Sequence, residues 1–339
     1  MSYTYLVTLT PQDSFFFGGE QTFGADETRK ENSRYSASST YFPQQTALLG
    51  MVRKMLLIQN GNMTMHLKGE WVDSKGKKHT NDENYFNALK IAGKGSFSYE
   101  NECDLGSIKE ISPIFLKKGS VAYIKNAKDA NYIPKMINNA ILIFEGFDAK
   151  KYNEDKFIGT NNTSLTYDDI FKEVTTVGIK KAQDGETNDD SFFQKKSYIL
   201  KDKAEFAFYL TLSKEASFED AYVSLGADQS SFQLKMIKTD ESFKKKFAHL
   251  FQAKKLDRVI LHSETLLKKE HENLLFFILG KRNSYRLLNN KDGKKSKRYY
   301  LLESGSVLYT KDLEKLTVAL SQPHLQKVGI NNFTPLKGL

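Results

Sequence analysis

The chain has 339 residues, 40% of them hydrophobic and 12% aromatic, which is enough for two domains with a substantial core. Its net charge of +9 suits an acidic partner, while a single cysteine, Cys103, excludes an internal disulfide framework. The longest apolar run, LLFFIL, is too short to span a bilayer, and the start MSYTYLVTLT lacks the features of a signal peptide, so we expect a cytoplasmic protein with no membrane partner.

The first predicted elements are a strand and a helix. Residues 3–10 place Tyr3, Tyr5, Val7 and Leu9 on one face, which predicts a strand. A long loop then leads to a predicted helix over residues 44–58, which begins after Pro43. The apolar face of this helix comprises Leu48, Met51, Val52, Met55 and Leu56.

The opposite face of this helix carries Thr46, Gly50 and Arg53, with Lys54 at its border. One interpretation is a notch where another helix packs, flanked by solvated cations. The other interpretation is a surface that binds a phosphate backbone. The helix alone does not decide between them.

Farther along the chain, a second strand, a helix and a third strand are predicted. Residues 205–212 and 232–236 alternate as strands do, and Ser217, Asp220 and Gly226 are start and stop signals of a helix over residues 217–226. With one more strand near TTVGIKK, the order becomes β-α-β-β-α-β, the ferredoxin-like arrangement that is also the RRM scaffold. Residues 60–170 are then an insertion between the first helix and the second strand.

A second unit is predicted after residue 240. The spacing of Phe243, Phe247, Leu250 and Phe251 predicts a helix within residues 241–255. Strands are predicted at residues 257–262, 274–279 and 298–309, and KDLEKLTVAL predicts a last helix. We therefore predict an α+β protein with two domains, residues 1–240 and 241–339.

The positive charge is concentrated in the last third of the chain. Residues 241–339 hold 20 Lys and Arg against 9 Asp and Glu, whereas residues 1–240 hold 30 against 32. The densest stretch, residues 281–300, has eight cations, one acid and interleaved tyrosines, a pattern typical of nucleic-acid binding that an acidic protein partner or solubility also explains. Its candidate phosphate contacts are Lys294, Lys295, Lys297 and Arg298.

Two segments mix glycines, aromatics and amides: FFFGGEQTFG at 15–24 and VGINNFTPLKGL at 328–339. This composition lets backbone N–H groups and aromatic rings approach a ligand, but it is also typical of ordinary turns. The candidate ligand contacts in the second segment are Gly329, Asn331, Asn332 and Phe333.

No short motif predicts catalysis. The chain contains no GxGxxG, P-loop or GxSxG sequence, and its histidines have no HxxxH or HExxH spacing. One cysteine cannot build a thiolate zinc site. We therefore expect no metal, no cofactor and no enzymatic activity.

Seven segments occur in a characteristic order: FFFGGEQTF, YFPQQTALLGMVRKML, ISPIFLKKGSVAYI, VGIKKAQDGETNDDSFFQKKSYIL, YVSLGADQSSFQL, LLESGSVLY and VGINNFTPL. In this order they resemble the RAMP superfamily of CRISPR proteins, and within it the third subunit of the Cmr (type III-B) effector complex. The resemblance runs from about residue 3 to residue 335.

This resemblance implies two ferredoxin-like units in a non-catalytic subunit for antiviral defence, which binds the 5′ repeat-derived tag of the CRISPR RNA. It implies two protein partners, the large palm-domain subunit and the repeating RAMP backbone subunit, which this subunit would bridge. Thr46, Gly50, Arg53 and Lys54 would then face the RNA backbone.

The resemblance also implies a protruding β-hairpin, or thumb, from Lys180 to Lys203. Its acidic middle, DGETNDDS, would meet protein or the gap between bases. At its base, the residues that would meet phosphate are Lys180, Lys181, Lys195 and Lys196.

The alternative is a RAMP endoribonuclease that processes CRISPR transcripts. Such an enzyme needs a general base for the 2′-hydroxyl, commonly a histidine soon after the first strand. The first histidine of this chain is His66, and residues 1–60 offer only tyrosines or lysines as substitutes. We therefore favour the binding subunit.

Overall fold

A computed structural model of the chain describes residues 2–26, 29–61, 70–72, 76–80, 83–137, 141–148, 156–181, 187–216, 220–226, 228–287 and 296–339. The helices are α1 (Gln45–Gln59), α2 (Glu83–Ala92), α3 (Tyr167–Ile170), α4 (Phe243–Phe247), α5 (Leu313–Leu320) and α6 (Pro323–Gln326). The strands are β1 (Tyr3–Pro11), β2 (Phe17–Asp26), β3 (Arg29–Thr40), β4 (Glu70–Val72), β5 (Lys78–Thr80), β6 (Ile108–Ile111), β7 (Phe115–Lys118), β8 (Val121–Lys125), β9 (Ile133–Ile137), β10 (Ile141–Glu145), β11 (Lys156–Gly159), β12 (Ser164–Thr166), β13 (Phe171–Lys181), β14 (Thr187–Leu200), β15 (Glu205–Leu212), β16 (Ala221–Leu225), β17 (Ser230–Lys238), β18 (Arg258–Leu261), β19 (Leu275–Leu279), β20 (Arg282–Tyr285), β21 (Tyr299–Leu302), β22 (Val307–Thr310) and β23 (Phe333–Leu336).

The largest sheet is antiparallel and has the order β12-β11-β8-β7-β15-β1-β17-β16, with β6 also paired to β15. The alternation that predicted strands at residues 3–10, 205–212 and 232–236 is confirmed, because these segments form three neighbouring strands of this sheet, β1, β15 and β17. One face of the sheet buries Tyr5, Val7 and Leu9 of β1 beside Phe206 and Phe208 of β15. The apolar side chains of α1 close this core, as the helical spacing predicted.

The predicted helix over residues 217–226 is wrong. Ala221–Leu225 forms the edge strand β16, which pairs with β17 from Ala221 opposite Leu234 to Leu225 opposite Ser230. Alternation explains the strand, since Leu225 is buried on the core side while Tyr222 is exposed on the other. Residues 217–219 of the predicted helix lie outside the described residues.

The segment TTVGIKK is a strand as predicted, but it does not belong to the largest sheet. It lies in β13, which forms a second sheet of order β13-β14-β3-β2. In the largest sheet, the position beside β15 is held by β7, from ISPIFLKK. The predicted insertion over residues 60–170 therefore contains five strands of the largest sheet, β6, β7, β8, β11 and β12.

The second sheet consists of two hairpins side by side. β13 and β14 form the long hairpin, which contains most of the predicted thumb over residues 180–203, and β3 pairs with β14 in parallel from Tyr35 opposite Phe193. FFFGGEQTFG therefore starts a strand rather than a long loop, because β2 begins at Phe17 and pairs with β3. Buried Phe15 anchors this hairpin to the core and exchanges main-chain hydrogen bonds with Tyr198 of 2.8 and 3.1 Å.

The C-terminal part forms an antiparallel sheet of order β19-β22-β18-β23, covered by α5. The predicted strands at 257–262 and 274–279 are confirmed as β18 and β19, and the predicted last helix is α5. The single strand predicted at 298–309 is instead two strands, β21 and β22, which lie in different sheets. The predicted helix within residues 241–255 is shorter, because α4 ends at Phe247 and is followed by one 3₁₀ turn.

Side chains from both sides of residue 240 share the core of the largest sheet. Phe243 and Phe247 of α4 pack on the outer face of the largest sheet, and Leu301, Leu325 and Ile330 join the core beneath α1. The boundary at residue 240 stays a prediction. Within the described part of the chain, no helix is both long and apolar enough to cross a membrane.

A buried ionic cluster attaches the C-terminal sheet to the segment after β8. The Asp129 carboxylate is fully buried and accepts hydrogen bonds from Arg258 of β18 and from the Tyr309 hydroxyl, the latter at 2.6 Å. Lys254 donates to main-chain oxygens of the same turn, including that of Tyr132 at 2.8 Å. Such a cluster is costly unless every partner is present, so it fixes how β18 and this turn meet.

Candidate nucleic-acid interface

Helix α1 presents its small and charged residues on the side away from the core. Thr46 is half-buried, while Gly50 and Lys54 are exposed. A Cβ built on Gly50 meets no described atom within 4 Å beyond the helix itself and its chain neighbours. Packing against a described neighbour therefore does not explain this glycine, although glycine costs a helix about 1 kcal/mol relative to alanine.

Arg53 is not a solvated cation beside a helix-packing notch, because its side chain is hydrogen-bonded within the protein. Its guanidinium donates to two main-chain oxygens, that of Asp104 at 2.7 Å and that of Gly95 at 3.2 Å. Partial burial lowers the pKa of Arg53 from its usual value, and nearby Cys103 and Asp104 oppose that shift. Arg53 therefore attaches α1 to residues 93–106, which we call the bridging loop.

The bridging loop is held closed by two glycines with positive φ. Gly93 and Gly106 have φ values of +80° and +60°, and a Cβ on Gly106 would lie 2.5 Å from the Gly93 nitrogen. The loop then reaches the C-terminal part, since its buried Tyr99 packs on Tyr299 with ring centroids 4.6 Å apart. His324 of α6 contacts the same loop, with Nε2 3.2 Å from the Tyr99 carbonyl oxygen.

The predicted basic stretch at 281–300 forms the hairpin β20–β21, with residues 288–295 outside the described residues. Lys294 and Lys295 fall in that gap. Lys297 forms an ion pair with Glu100 of the bridging loop and lies 5.4 Å from the Tyr299 ring centroid, and its hydrogen bond to Glu100 raises the pKa of Lys297. Arg298 is exposed and forms no ion pair with a residue that the structure describes.

The C-terminal loop, residues 325–333, lies against the start of α1. Gly329 has φ +81°, and a Cβ there would overlap Gln45 Nε2 and lie 2.7 Å from the Ser112 oxygen. Gln45 itself is buried, and its Nε2 donates to the oxygens of Ser112 at 2.8 Å and Val328 at 3.3 Å. Only glycine permits this approach, so Gly329 serves packing between the two ends of the chain.

The amides of this loop are also used internally. Asn331 has φ +55° and no exposed surface, and its side chain bonds Leu266 N–H at 2.7 Å and the oxygens of Leu266 and Leu320, both at 3.1 Å. Asn332 is buried, and Phe333 packs on the core beneath α5. These positions do not support direct RNA contacts by Asn331 and Asn332, which had been expected from composition.

A half-buried acid, Glu264, contacts the same loop, and the sequence does not predict its partners. Glu264 accepts a hydrogen bond from the Tyr285 hydroxyl, and its main-chain oxygen accepts one from Asn331 N at 3.1 Å. Burial raises the pKa of the Glu264 carboxyl, while Tyr285 and Lys125 oppose the shift. The sequence gives no signal for this contact, because Glu264 and Tyr285 are joined only by folding of the hairpin.

The thumb lysines lie away from the bridging loop. Lys195 forms an ion pair with Asp228 and lies 5.1 Å from the Phe16 ring centroid, and Lys196 pairs with Glu173 at 3.2 Å. The side chains of Lys180 and Lys181 lie outside the described residues, although their main chain belongs to β13. Contacts of these four lysines with phosphate stay a prediction.

The structure thus brings three of the predicted segments to one place. Arg53 of α1 and Lys297 of the hairpin β20–β21 contact the bridging loop, and the C-terminal loop contacts the start of α1 through Gln45. Lys54 and Arg298 supply exposed charge on α1 and the hairpin. Such a surface can bind a polyanion through salt-dependent contacts. Among the residues that the structure describes, no group of three or more His, Cys, Asp or Glu side chains could hold a metal ion.

Comparisons with known proteins agree with the sequence motifs. Residues 7–110 match the model of the family described as CRISPR-associated protein (Cas_Cmr3). A cryo-EM structure of type III-B Cmr-beta bound to cognate target RNA contains a chain with 11% identity and a TM-score of 0.51, and the match covers 98% of this chain and 96% of that chain. A second such structure, bound to cognate target RNA and AMPPnP, gives 12% identity and a TM-score of 0.52 over the same shares of both chains. No curated protein sequence matches the chain. The resemblance to the third subunit of the Cmr complex, expected from seven motifs, is therefore confirmed.

Proposed function

We propose that this protein is a non-catalytic, RNA-binding subunit of a type III-B CRISPR effector complex, and that it binds the 5′ repeat-derived tag of the CRISPR RNA. The family match over residues 7–110 and the similar fold in type III-B Cmr-beta structures support a place in such a complex. Both of those structures are bound to target RNA, which makes RNA the first ligand to test.

The single observation that carries this proposal is the convergence around the bridging loop. Helix α1 and the hairpin β20–β21 are more than 200 residues apart in the chain, yet Arg53 and Lys297 both contact this loop. The exposed cations Lys54 and Arg298 are carried by the same two elements. Clustered cations beside exposed main chain and an aromatic side chain are typical of single-strand binding.

The strand order supports two ferredoxin-like units. In that fold the sheet order is fourth, first, third, second strand, with all neighbours antiparallel. The strands β17-β1-β15-β7 have this order, with α1 after the first strand, and β23-β18-β22-β19 have it again in the C-terminal part. In the first unit β16 takes the place of the second helix.

The proposed protein partners are the large palm-domain subunit and the repeating RAMP backbone subunit, with this subunit bridging them in the cytoplasm. Co-expression of the three proteins with CRISPR RNA, followed by purification through a tag on this chain, tests the assignment. We expect all three proteins and the RNA in one particle. Recovery of this chain alone, with neither partner bound, would contradict it.

Catalysis separates this proposal from the endoribonuclease alternative. The purified chain is incubated with labelled repeat RNA, with and without EDTA, and bound and cleaved RNA are measured in parallel. We expect binding without cleavage in both conditions. Specific cleavage that is lost when one residue is replaced would establish the nuclease instead.

A further inference from the structure

The hairpin β20–β21 places three tyrosines, which the sequence does not distinguish, on two different faces. Tyr285 lies opposite Tyr299 in the strand pairing, and both side chains pack against the main core. Tyr300 lies opposite Ser284, on the other face of the hairpin, and is 55% exposed. Of the three rings, only that of Tyr300 is mostly open to solvent.

The surroundings of Tyr300 are cationic. Arg298 lies two residues before it and Arg286 two residues after Ser284, so alternation puts both on the Tyr300 face, while Lys281, just before β20, is on the other face. All three cations are exposed. None of these three cations forms an ion pair with a residue that the structure describes. Arg282 and Lys297 are instead paired, with Glu272 at 2.8 Å and with Glu100. An exposed ring among unpaired cations complements a strand whose bases and phosphates alternate.

Tyr222, a second exposed tyrosine among the side chains that the structure describes, differs in these respects. Tyr222 is 70% exposed on the outer face of β16, opposite Gln233. The neighbouring cation on that face, Lys235, is paired with Asp220 at 3.6 Å. Exposure alone therefore does not single out Tyr300, whereas exposure combined with unpaired positive charge does.

We propose that Tyr300 is a stacking platform for one base of a single-stranded RNA, with Arg298 and Arg286 binding the adjoining phosphates. This inference rests on the proposed function and names the residue that engages a base rather than the backbone. Stacking on a tyrosine ring is tolerant of base identity, because every base has a π face. The contact thus adds affinity without reading sequence.

The test is RNA titration of Tyr300→Ala, Tyr300→Phe and Tyr222→Ala in the full chain, at fixed salt and with an RNA that carries 2-aminopurine at successive positions. We expect Tyr300→Ala to weaken binding by about 5- to 150-fold, the range for loss of one stacked base. Tyr300→Phe keeps the ring and should stay within about twofold of the wild type. Tyr222→Ala is the matched control and should leave affinity unchanged.

Fluorescence identifies the contact directly. One 2-aminopurine position should change in intensity on binding to the wild type and to Tyr300→Phe, and the change should vanish in Tyr300→Ala at saturating protein. Thermal melts of all three variants should coincide with that of the wild type, because both tyrosines are exposed.

Three results would overturn the proposal while leaving RNA binding as the function: unchanged affinity in Tyr300→Ala, an equal loss in Tyr300→Phe, or an equal loss in Tyr222→Ala. Unchanged affinity in Tyr300→Ala would indicate that Tyr300 contacts a protein rather than RNA. An equal loss in Tyr300→Phe would indicate that the hydroxyl makes the contact, and an equal loss in Tyr222→Ala would indicate a non-specific surface effect. A wild-type chain that binds no RNA would overturn the proposed function together with this inference.

Discussion

The C-terminal loop and the hairpin β20–β21 were both expected to contact RNA, yet the fold uses them in opposite ways. The loop is buried, and the Asn331 side chain forms hydrogen bonds with main-chain groups of Leu266 and Leu320. The hairpin buries one face and leaves the other exposed, with Arg298 and Tyr300 on the open side.

This difference shows what glycines and amides mean in this chain. The Gln45 side chain of α1 donates to the Val328 oxygen of the C-terminal loop, and a Cβ on Gly329 would overlap Gln45 Nε2, so only glycine fits at residue 329. Lysine and arginine side chains at the surface need no such close packing. Composition alone does not distinguish the C-terminal loop from the hairpin, whereas burial does. Burial predicts that substitutions in the loop affect stability and that substitutions in the hairpin affect binding.

The largest effect should come from Gly329→Ala. The added Cβ would overlap Gln45 Nε2 at a residue with φ +81°, so we expect the free energy of unfolding to fall by about 3 kcal/mol. Gly50→Ala is the matched control, because its Cβ enters open space in a helix and should stabilise by up to about 1 kcal/mol. Chemical denaturation of both variants measures the difference. Equal stability of the two would mean that the loop does not pack against α1.

Acid should loosen the same loop through His262. Its ring lies between Phe243 and Phe251, Nε2 is 2.7 Å from Thr334 Oγ1, and its main-chain N–H donates to Asn332 at 2.8 Å. Burial, aided by Lys244, lowers the pKa of His262 from 6.5 to about 3. The folded state therefore holds this ring neutral where the unfolded chain takes up a proton.

The stability that this neutral ring contributes is complete above pH 6.5 and declines as the pH falls towards 3. Between about pH 7.5 and pH 5, we expect the free energy of unfolding to fall by about 2 kcal/mol from this residue. His262→Gln lacks the titrating ring, so its denaturation midpoint should depend less on pH over that interval. A variant with the same pH dependence as the wild type would contradict the assignment.

Arg53→Ala should have a smaller effect, because it removes two hydrogen bonds near the surface. We expect a loss of about 1–2 kcal/mol in unfolding free energy, since the oxygens of Gly95 and Asp104 lose their charged donor. Arg53→Lys tests whether the planar guanidinium is needed, because lysine keeps the charge but cannot donate to two oxygens in one plane. It should be nearly as destabilised as the alanine variant. Unchanged melting together with weakened RNA binding in both variants would instead make Arg53 a phosphate contact.

The smallest effect on stability should follow charge reversal of Lys54 and Arg298. Both are exposed, so each replacement by glutamate should change the unfolding free energy by less than about 0.5 kcal/mol. If each cation binds one phosphate, the slope of log affinity against log salt should drop by about 0.7 for each reversal. Lys214→Glu, at an exposed position outside the candidate interface, is the control and should leave the slope unchanged. Equal slopes for all variants would remove these two cations from the interface.

Strong periodicity predicted much of the fold. Alternation within residues 3–10, 205–212 and 232–236 predicted β1, β15 and β17, and helical spacing predicted α1 and α5. The helix prediction for residues 221–225 was wrong because these five residues fit both a capped helix and an alternating strand, and pairing with β17 favours the strand. The prediction for FFFGGEQTFG was wrong because its three glycines suggested a turn, whereas β3 pairs with most of this segment as a strand.

The candidate interface was less predictable, for a physical reason. Charge marked α1 and residues 281–300, but the bridging loop that joins them has no motif, and its contacts are made by main-chain oxygens at Gly95 and Asp104. Main-chain groups are common to every residue, so the sequence does not mark them. Likewise, only strand pairing shows that Tyr300 faces outward while Tyr285 and Tyr299 face the core.

Cross-linking tests the central claim most directly, namely that RNA contacts the outer side of α1 and of the hairpin while the C-terminal loop stays internal. Repeat-tag RNA with 4-thiouridine at successive positions is bound to the full chain, irradiated and digested, and the linked peptides are identified by mass spectrometry. The account predicts links within residues 46–54 and within residues 296–300, with none at residues 329–332. Links at Asn331 or Asn332, or links confined to the outer face around Tyr222, would contradict it.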